Sequence, residues 1–167
     1  MGKTIVVGGG GFIGSHLAER AAIRGEEVVV IDDLSRTNHN YEYLKKNFPK
    51  INFVKADIRN LDSFSNYFTD AEKIFHTAGQ VAVTTSVLNP KLDYEINSTG
   101  TFNVCEAARR ANTNPAIVYC STNKVFGDLV IPVVEMEKRY KYKNIIGINE
   151  KYDVSPETAN CPYGAVK

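Results

Sequence analysis

The sequence predicts an α/β fold, a doubly wound parallel sheet, and three observations carry that prediction. Short β-rich apolar runs alternate with helical stretches over the first 120 residues. The runs are continuously apolar rather than alternating, as in parallel strands covered on both faces. The first run passes straight into a glycine-rich turn that opens a helix. A strand–helix–strand rhythm of this kind winds into a parallel sheet with right-handed crossovers. With 167 residues the chain is long enough for one domain with its own core.

The strands are expected at residues 4–7, 27–31, 52–54, 73–75 and 116–120. Residues 12–24 carry apolar positions at helical spacing and stop at Gly25, a natural C-terminal breaker. Residues 41–47 and 61–68 read as shorter helices. Residues 90–111 read as a long amphipathic one, periodic through Ile96, Phe102, Val104 and Ala108. The expected strand order is 3-2-1-4-5 with helices on both faces.

Composition narrows the function classes. The chain is 43% hydrophobic and 23% charged, ordinary for a globular domain. A net charge of +1 gives no footing for nucleic acid or an acidic membrane, so neither is expected as a partner. No apolar run approaches the roughly 20 residues of a membrane span. The start, MGKTIVVGGGG, lacks the pattern of a secretory signal, and Val6 breaks a myristoylation motif. Cys105, Cys120 and Cys161 are odd in number and far apart, as suits reduced thiols, and a cytoplasmic location is expected. His16, His39 and His76 are scattered, and no metal site can be read.

Gly8, Gly11 and Gly14 form G-x-x-G-x-x-G directly after a strand and at the opening of a helix. Small residues are needed there, because a side chain would block a pyrophosphate or keep the helix off the strand. The helix N-terminus then offers free N–H groups and partial positive charge to phosphates. The second strand ends in Asp32-Asp33, with Asp32 18 residues after Gly14. An acid there accepts both ribose hydroxyls of an adenosine and repels a 2′-phosphate. Leu34, Ser35 and Arg36 follow in the same turn. This is a dinucleotide-binding Rossmann pattern, and NAD is the expected cofactor. Arg36 leaves NADP open, since it stands close enough to receive a phosphate.

A second constellation sits late in the chain. The fifth strand ends in Cys120-Ser121-Thr122-Asn123-Lys124, and the sequence closes with Tyr163-Gly164-Ala165-Val166-Lys167. Tyr and Lys four apart on a helix share a face. A nearby cation favours the phenolate and draws a tyrosine down from about 10 toward neutral pH, where it serves as a general base. The Y-x-x-x-K spacing alone is common. Here it falls 41 residues after Thr122, in a chain with a Rossmann opening.

These motifs together resemble the extended short-chain dehydrogenase/reductase family of nucleotide-sugar epimerases and dehydratases. The opening with Phe12-Ile13-Gly14, the pair Asp57-Ile58 after the third strand and the run Ala78-Gly79-Gln80 after the fourth all match. So does Asn97 within Asn97-Ser98-Thr99-Gly100-Thr101. The strings AGQVAVTTS, STNKVFGD and GINEKYDVSPETANCPYG resemble its CDP-paratose (CDP-tyvelose) 2-epimerase branch. The resemblance implies NAD held by Gly8, Gly11, Phe12, Ile13, Gly14, Asp32, Asp33, Leu34, Ser35, Arg36, Asp57, Ile58, Ala78, Gly79, Gln80, Asn97, Tyr163 and Lys167. It implies catalysis by Thr122, Tyr163 and Lys167, with substrate against Ser121, Thr122, Asn123 and Lys124. Thr122 would hold the sugar oxygen that Tyr163 deprotonates, and Lys167 the nicotinamide ribose. A homodimer is implied for a full-length member.

The sequence departs from the family pattern at Val7, Gly10, Phe126 and Val166, where Thr, Ala, Tyr and Ser are usual. Phe126 lacks a hydroxyl that could touch substrate. Family dehydratases carry Asp-Glu after the strand-five Thr, and Asn123-Lys124 here speaks against elimination chemistry. A 4-epimerase, a dehydratase and a non-catalytic NAD-binding module stay open as alternatives. Residues 128–162 show no clear element, and the basic, aromatic run 137–143 reads either as a solvated loop or as a flap over an anionic substrate. The resemblance spans the N-terminal half of a family member, so the chain is expected to be truncated before a C-terminal substrate-binding part. By itself it is expected to be inactive.

Overall fold

A computed structural model describes residues 2–36, 38–126, 133–142 and 166. Five parallel strands, β1 (Lys3–Val7), β2 (Glu27–Asp32), β3 (Asn52–Lys55), β4 (Ala71–His76) and β5 (Ala116–Tyr119), form one sheet in the order β3-β2-β1-β4-β5. This is the order the sequence predicts. Val7 pairs with Ile31 on one side and His76 on the other, so β1, β2 and β4 end level. The order reverses beside β1, and a crevice opens at the carboxyl ends there.

Two apolar layers clamp the sheet. Helices α1 (Phe12–Ile23) and α2 (His39–Asn47) cover one face, where Ala18, Ala21, Tyr41 and Leu44 meet Val6, Val28 and Val30. On the other face Phe64, Phe68, Val104, Ala107 and Ala108 meet Ile5, Val7, Val29, Ile31 and Ile74. Adjacent residues of β1 and β2 thus point into opposite layers, which is why residues 5–7 and 28–31 are apolar without interruption. Each fully buried Val, Ile or Phe contributes about 1.5–3 kcal/mol by leaving water. Among the described residues no helix is long and apolar enough to cross a membrane.

The second layer is reached through α3 (Val83–Leu88), α4 (Pro90–Tyr94), a π turn (Glu95–Thr99) and α5 (Gly100–Arg110). The last three make the long helical stretch predicted for residues 90–111. The stretch at 61–68 differs from expectation, forming two 3₁₀ turns, Leu61–Ser63 and Ser65–Phe68. Ser63 Oγ donates to the carbonyl of Asn60 at 2.7 Å, a local bond that competes with helix continuation. Its two phenylalanines still reach the core. Helix α3 has no counterpart among the predicted elements, since Thr84-Thr85-Ser86 is a poor helix former.

Two further expectations are corrected. Within residues 128–162, β6 (Val133–Met136) and β7 (Arg139–Tyr142) form an antiparallel hairpin with Val134 opposite Lys141 and Met136 opposite Arg139. Valine and tyrosine favour a pleated chain, but a pattern this short and mixed announces no period. The basic, aromatic Arg139-Tyr140-Lys141 is therefore an exposed strand. Two-sided cover, expected of every strand, fails at β5. This strand pairs with β4 at the sheet edge, and Ile117 and Val118 stay 41% and 54% exposed.

At the amino ends of the strands a polar clip ties β1, β2 and β4 together. Thr4 Oγ1, fully buried, donates to Glu26 Oε2 at 2.5 Å, and Lys73 Nζ bonds Glu26 Oε1 at 2.9 Å. The Thr4 hydroxyl first, and the Lys73 ammonium second, hold the Glu26 carboxyl below its ordinary 4.5. A carboxylate lowered in the fold adds stability above its unfolded value and loses it as pH falls through the folded one. Thr4→Val is expected to cost about 1.5–3 kcal/mol at pH 7, the usual scale for a hydrogen bond to a charged group. Urea denaturation at pH 7 and below the lowered value checks this: the difference from wild type should shrink in acid.

Candidate cofactor cleft and active site

The cleft begins where β1 stops. Gly8 takes φ +82°, a left-handed backbone that glycine adopts without penalty. A Cβ there would lie 2.7 Å from Ala78 Cα. A Cβ on Gly14 would fall on the Gly8 carbonyl oxygen and 2.8 Å from Gly9 Cα. These two glycines therefore let α1 sit directly on the turn. Gly11 caps α1 in extended conformation, with no side-chain cap and no acid in the first turn. The first amides of this 12-residue helix are left to the cleft, with the positive end of its dipole.

Asp32 forms the second corner. Its Oδ2 accepts from the Gly10 amide at 2.9 Å and its Oδ1 from the Leu34 amide at 2.8 Å. The carboxylate thus pins the glycine turn to the end of β2. Burial raises its pKa above the ordinary 3.8, while the two amides pull the other way and Asp33 adds a little repulsion. Leu34, at φ 60°, is one of two non-glycine residues with a left-handed backbone among the described residues. It stands behind the acid rather than on the cleft surface.

The far wall comes from β3, β4 and the helical stretch. Arg59 forks onto Asp57, with Nε to Oδ1 at 3.0 Å and Nη2 to Oδ2 at 2.6 Å, and this bond lowers the Asp57 pKa. Asn103 Nδ2 holds the carbonyls of Ile58 and Arg59 at 2.9 and 3.0 Å. After β4 the amides of Thr77 and Ala78 both bond the Val7 carbonyl, at 2.8 and 3.0 Å, which brings Ala78 against Gly8. Asn97, 2% exposed, accepts from the Gln80 amide at 2.9 Å.

The resulting cleft has a volume of about 750 Å³. Of the residues predicted for the cofactor, Gly8, Gly11, Phe12, Ile13, Gly14, Asp32, Asp33, Ser35, Arg36, Asp57, Ile58, Ala78, Gly79 and Gln80 line it. Leu34 and Asn97 do not, and support it from behind. Sequence reasoning missed Thr85, Leu92 and Ile96, which line the cleft from α3, α4 and the π turn. Helical spacing of Leu92 and Ile96 was the available signal, but it reads equally as core.

Of the candidate catalytic residues, Thr122 follows β5, the neighbour of β4 at the carboxyl end of the sheet. The Cys120 amide bonds the His76 carbonyl at 3.0 Å, so the end of β5 is fixed against the end of β4. The buried His76 ring contacts Thr101 Oγ1 at 3.0 Å and Tyr119 at 5.1 Å between ring centroids. Thr122 follows, its Oγ1 accepting from the Lys124 amide at 3.3 Å as the 3₁₀ turn Asn123–Phe126 begins. Ser121 and Lys124 are exposed. These residues do not line the cleft. Ser98, next to Asn97, donates to the Val166 carbonyl at 3.5 Å. Tyr163 and Lys167 lie outside the described residues.

Comparison with known proteins agrees with this geometry. Residues 4–167 match the model of the NAD dependent epimerase/dehydratase family, and the chain belongs to that family. It is 41% identical, over 99% of its own length, to a CDP-paratose 2-epimerase of Salmonella typhi, and covers 49% of that protein. It is 33% identical over 98% of its length to a putative UDP-glucose 4-epimerase of Methanocaldococcus jannaschii, covering 47% of it. A Thermus thermophilus UDP-glucose 4-epimerase, solved in complex with NAD, superposes with a TM-score of 0.71 at 30% identity, over 99% of this chain and 47% of that one. The chain spans about half the length of the relatives it matches.

NAD, the family's cofactor, fits the residues present. The turn has no room for side chains where a pyrophosphate approaches, the helix end above it is uncapped, and a carboxylate stands at the end of β2. Gly14→Ala is expected to push α1 off the turn, costing about 1–3 kcal/mol by overpacking. It should abolish measurable NAD binding at millimolar cofactor. Thermal denaturation with NAD titration checks both; an unchanged melting temperature and affinity would contradict the close contact.

Proposed function

We propose that the protein is an NAD-dependent nucleotide-sugar epimerase acting on a CDP-sugar at C2, as the name of its Salmonella typhi relative describes for that enzyme. The observation that carries this reading is that two features share the carboxyl end of one sheet. A cleft lined by the glycine turn and Asp32 opens after β1 and β2, and Thr122 follows β5, two strands from β1, in a chain that continues to Tyr163 and Lys167. Bound NAD supplies a hydride acceptor that becomes a donor, so one sugar carbon is oxidised and re-reduced with no net redox change.

This chain's residues supply binding and proton handling. Gly8 to Gly14 and the open end of α1 hold the pyrophosphate, and Asp32 accepts the adenosine ribose hydroxyls. The Thr122 hydroxyl orients the sugar oxygen. Tyr163 takes the proton from that oxygen as the carbon loses its hydride, and returns it as the hydride comes back to the opposite face of the turned-over keto-sugar. Lys167, four residues on, keeps the phenolate charged and grips the nicotinamide ribose. Ser121, Asn123 and Lys124 contact the substrate. Free Cys105 and Cys120 are consistent with a cytoplasmic enzyme of carbohydrate metabolism. The exposed Leu88, Tyr94 and Phe102 offer apolar surface to a homodimer.

Turnover by the full protein against CDP-, UDP- and dTDP-sugars tests the proposal, and UDP-glucose 4-epimerisation without CDP-sugar activity would replace it. Asp32→Ala should weaken NAD by about 1–3 kcal/mol in calorimetry and narrow its preference over NADP. In the wild type, NAD affinity should fall on acidification at a pH above that of an exposed aspartate, because burial raises Asp32. Tyr163→Phe should cut turnover at least about a hundredfold with NAD affinity nearly unchanged.

A further inference from the structure

Behind the cleft wall lies a buried polar chain that the proposed chemistry does not use. Asp93, fully buried on α4, accepts at Oδ1 from Gln80 Nε2 and from Asn97 Nδ2, both at 3.0 Å. Asn97 Oδ1 accepts from the Gln80 backbone amide at 2.9 Å. Gln80 Oε1 accepts from the Ala82 amide, and Gln80 Nε2 also donates to the Ala82 carbonyl at 2.7 Å. Gln80, Val81 and Ala82 line the cleft; Asp93 does not.

We propose that Asp93 is a positioning residue, setting the orientation of the Gln80 and Asn97 amides and through them the backbone of residues 80–82 that forms the cofactor wall. This rests on the NAD reading above. A carboxamide has two ends of nearly equal shape, so something must decide which way round it sits. The Asp93 oxygen receives an NH2 from both amides. With the NH2 ends committed, the oxygen of Asn97 faces the Gln80 amide and the oxygen of Gln80 faces the Ala82 amide. Turning either side chain round would set donor against donor inside a buried site, an expensive arrangement.

The helix serves this purpose. Asp93 and Asn97 are four residues apart, so both fall on one face, and the π turn Glu95–Thr99 carries Asn97. Single π turns inside α-helices recur at functional sites. On the same stretch Leu92 and Ile96 reach the cleft directly. One helical segment thus supplies both apolar surface to the cleft and the polar anchor of its wall.

Asp93→Leu removes the acceptor, Asp93→Asn keeps one, and Asp93→Ser offers a smaller side chain one bond shorter. NAD affinity by calorimetry and amide hydrogen exchange at Gln80 and Ala82 are measured well below the melting temperature of each full-length variant. Leu and Ser are expected to weaken NAD at least about tenfold, the effect of leaving a buried network partly unsatisfied, and to speed exchange at both amides. Asn is expected to stay within about threefold of wild type. Pairing Asp93→Leu with Asn97→Leu should add little to the larger single loss, since both act on one chain of bonds. Lowered melting temperatures with wild-type NAD affinity in the Leu and Ser variants would overturn the positioning role alone. Wild-type protein that binds no NAD would overturn the cofactor reading and this role with it.

Discussion

Much of the molecule depends on the contact between Gly14 and the Gly8 carbonyl. There a helix crosses the end of a strand with no space for a single methyl group. That contact lets α1 start directly over the end of β1, with its first amides uncapped and facing outward. Gly8, with no side chain of its own, lets the chain after β4 come in from the other side, where Ala78 meets it backbone to backbone. The cleft is therefore made by the absence of side chains at one point where three segments converge. A site of this kind presents backbone N–H groups, which are well suited to phosphate oxygens and need no side-chain ordering on binding.

Asp32 serves structure and, in the proposed function, recognition at once. Its two oxygens already accept the Gly10 and Leu34 amides, so the acid is aimed before any ligand arrives. The cost is partial burial, seen in its raised pKa, together with the left-handed backbone of Leu34. The two amide bonds offset both. Asp57 shows the other arrangement, a more open carboxylate lowered by the guanidinium of Arg59. The two acids on the cleft thus differ in the sign of their shift because one is desolvated and the other is paired.

Stability and function sit at opposite ends of the sheet. The amino ends carry the Thr4–Glu26–Lys73 clip, and the middle carries the two apolar layers. The carboxyl ends hold the cleft, the Asp93–Asn97–Gln80 chain and the end of β5. This separation lets the loops after the strands carry chemistry while the strands beneath them stay rigid.

The sequence by itself determined the features written in local pattern. Continuous apolar runs marked β1 and β2, because a strand buried on both faces needs apolar residues at every position. The glycine spacing and the acid at the end of β2 marked the cofactor corner, because both act within a few residues of the turn they form. Tertiary structure decided what depends on distant partners. The 61–68 stretch became 3₁₀ turns, since its phenylalanines reach the core in this form while Ser63 bonds the Asn60 carbonyl locally. The 133–142 hairpin rests on cross-strand pairing that no period announces. Asn97 reads as a cofactor residue by motif, yet it stands behind the wall and holds Gln80. Asp93 reads as one more charge on an amphipathic helix. A buried acid and a solvated one are the same letter, and only the fold, by bringing two amide groups against one carboxylate, gives this one the position on which the proposed role rests.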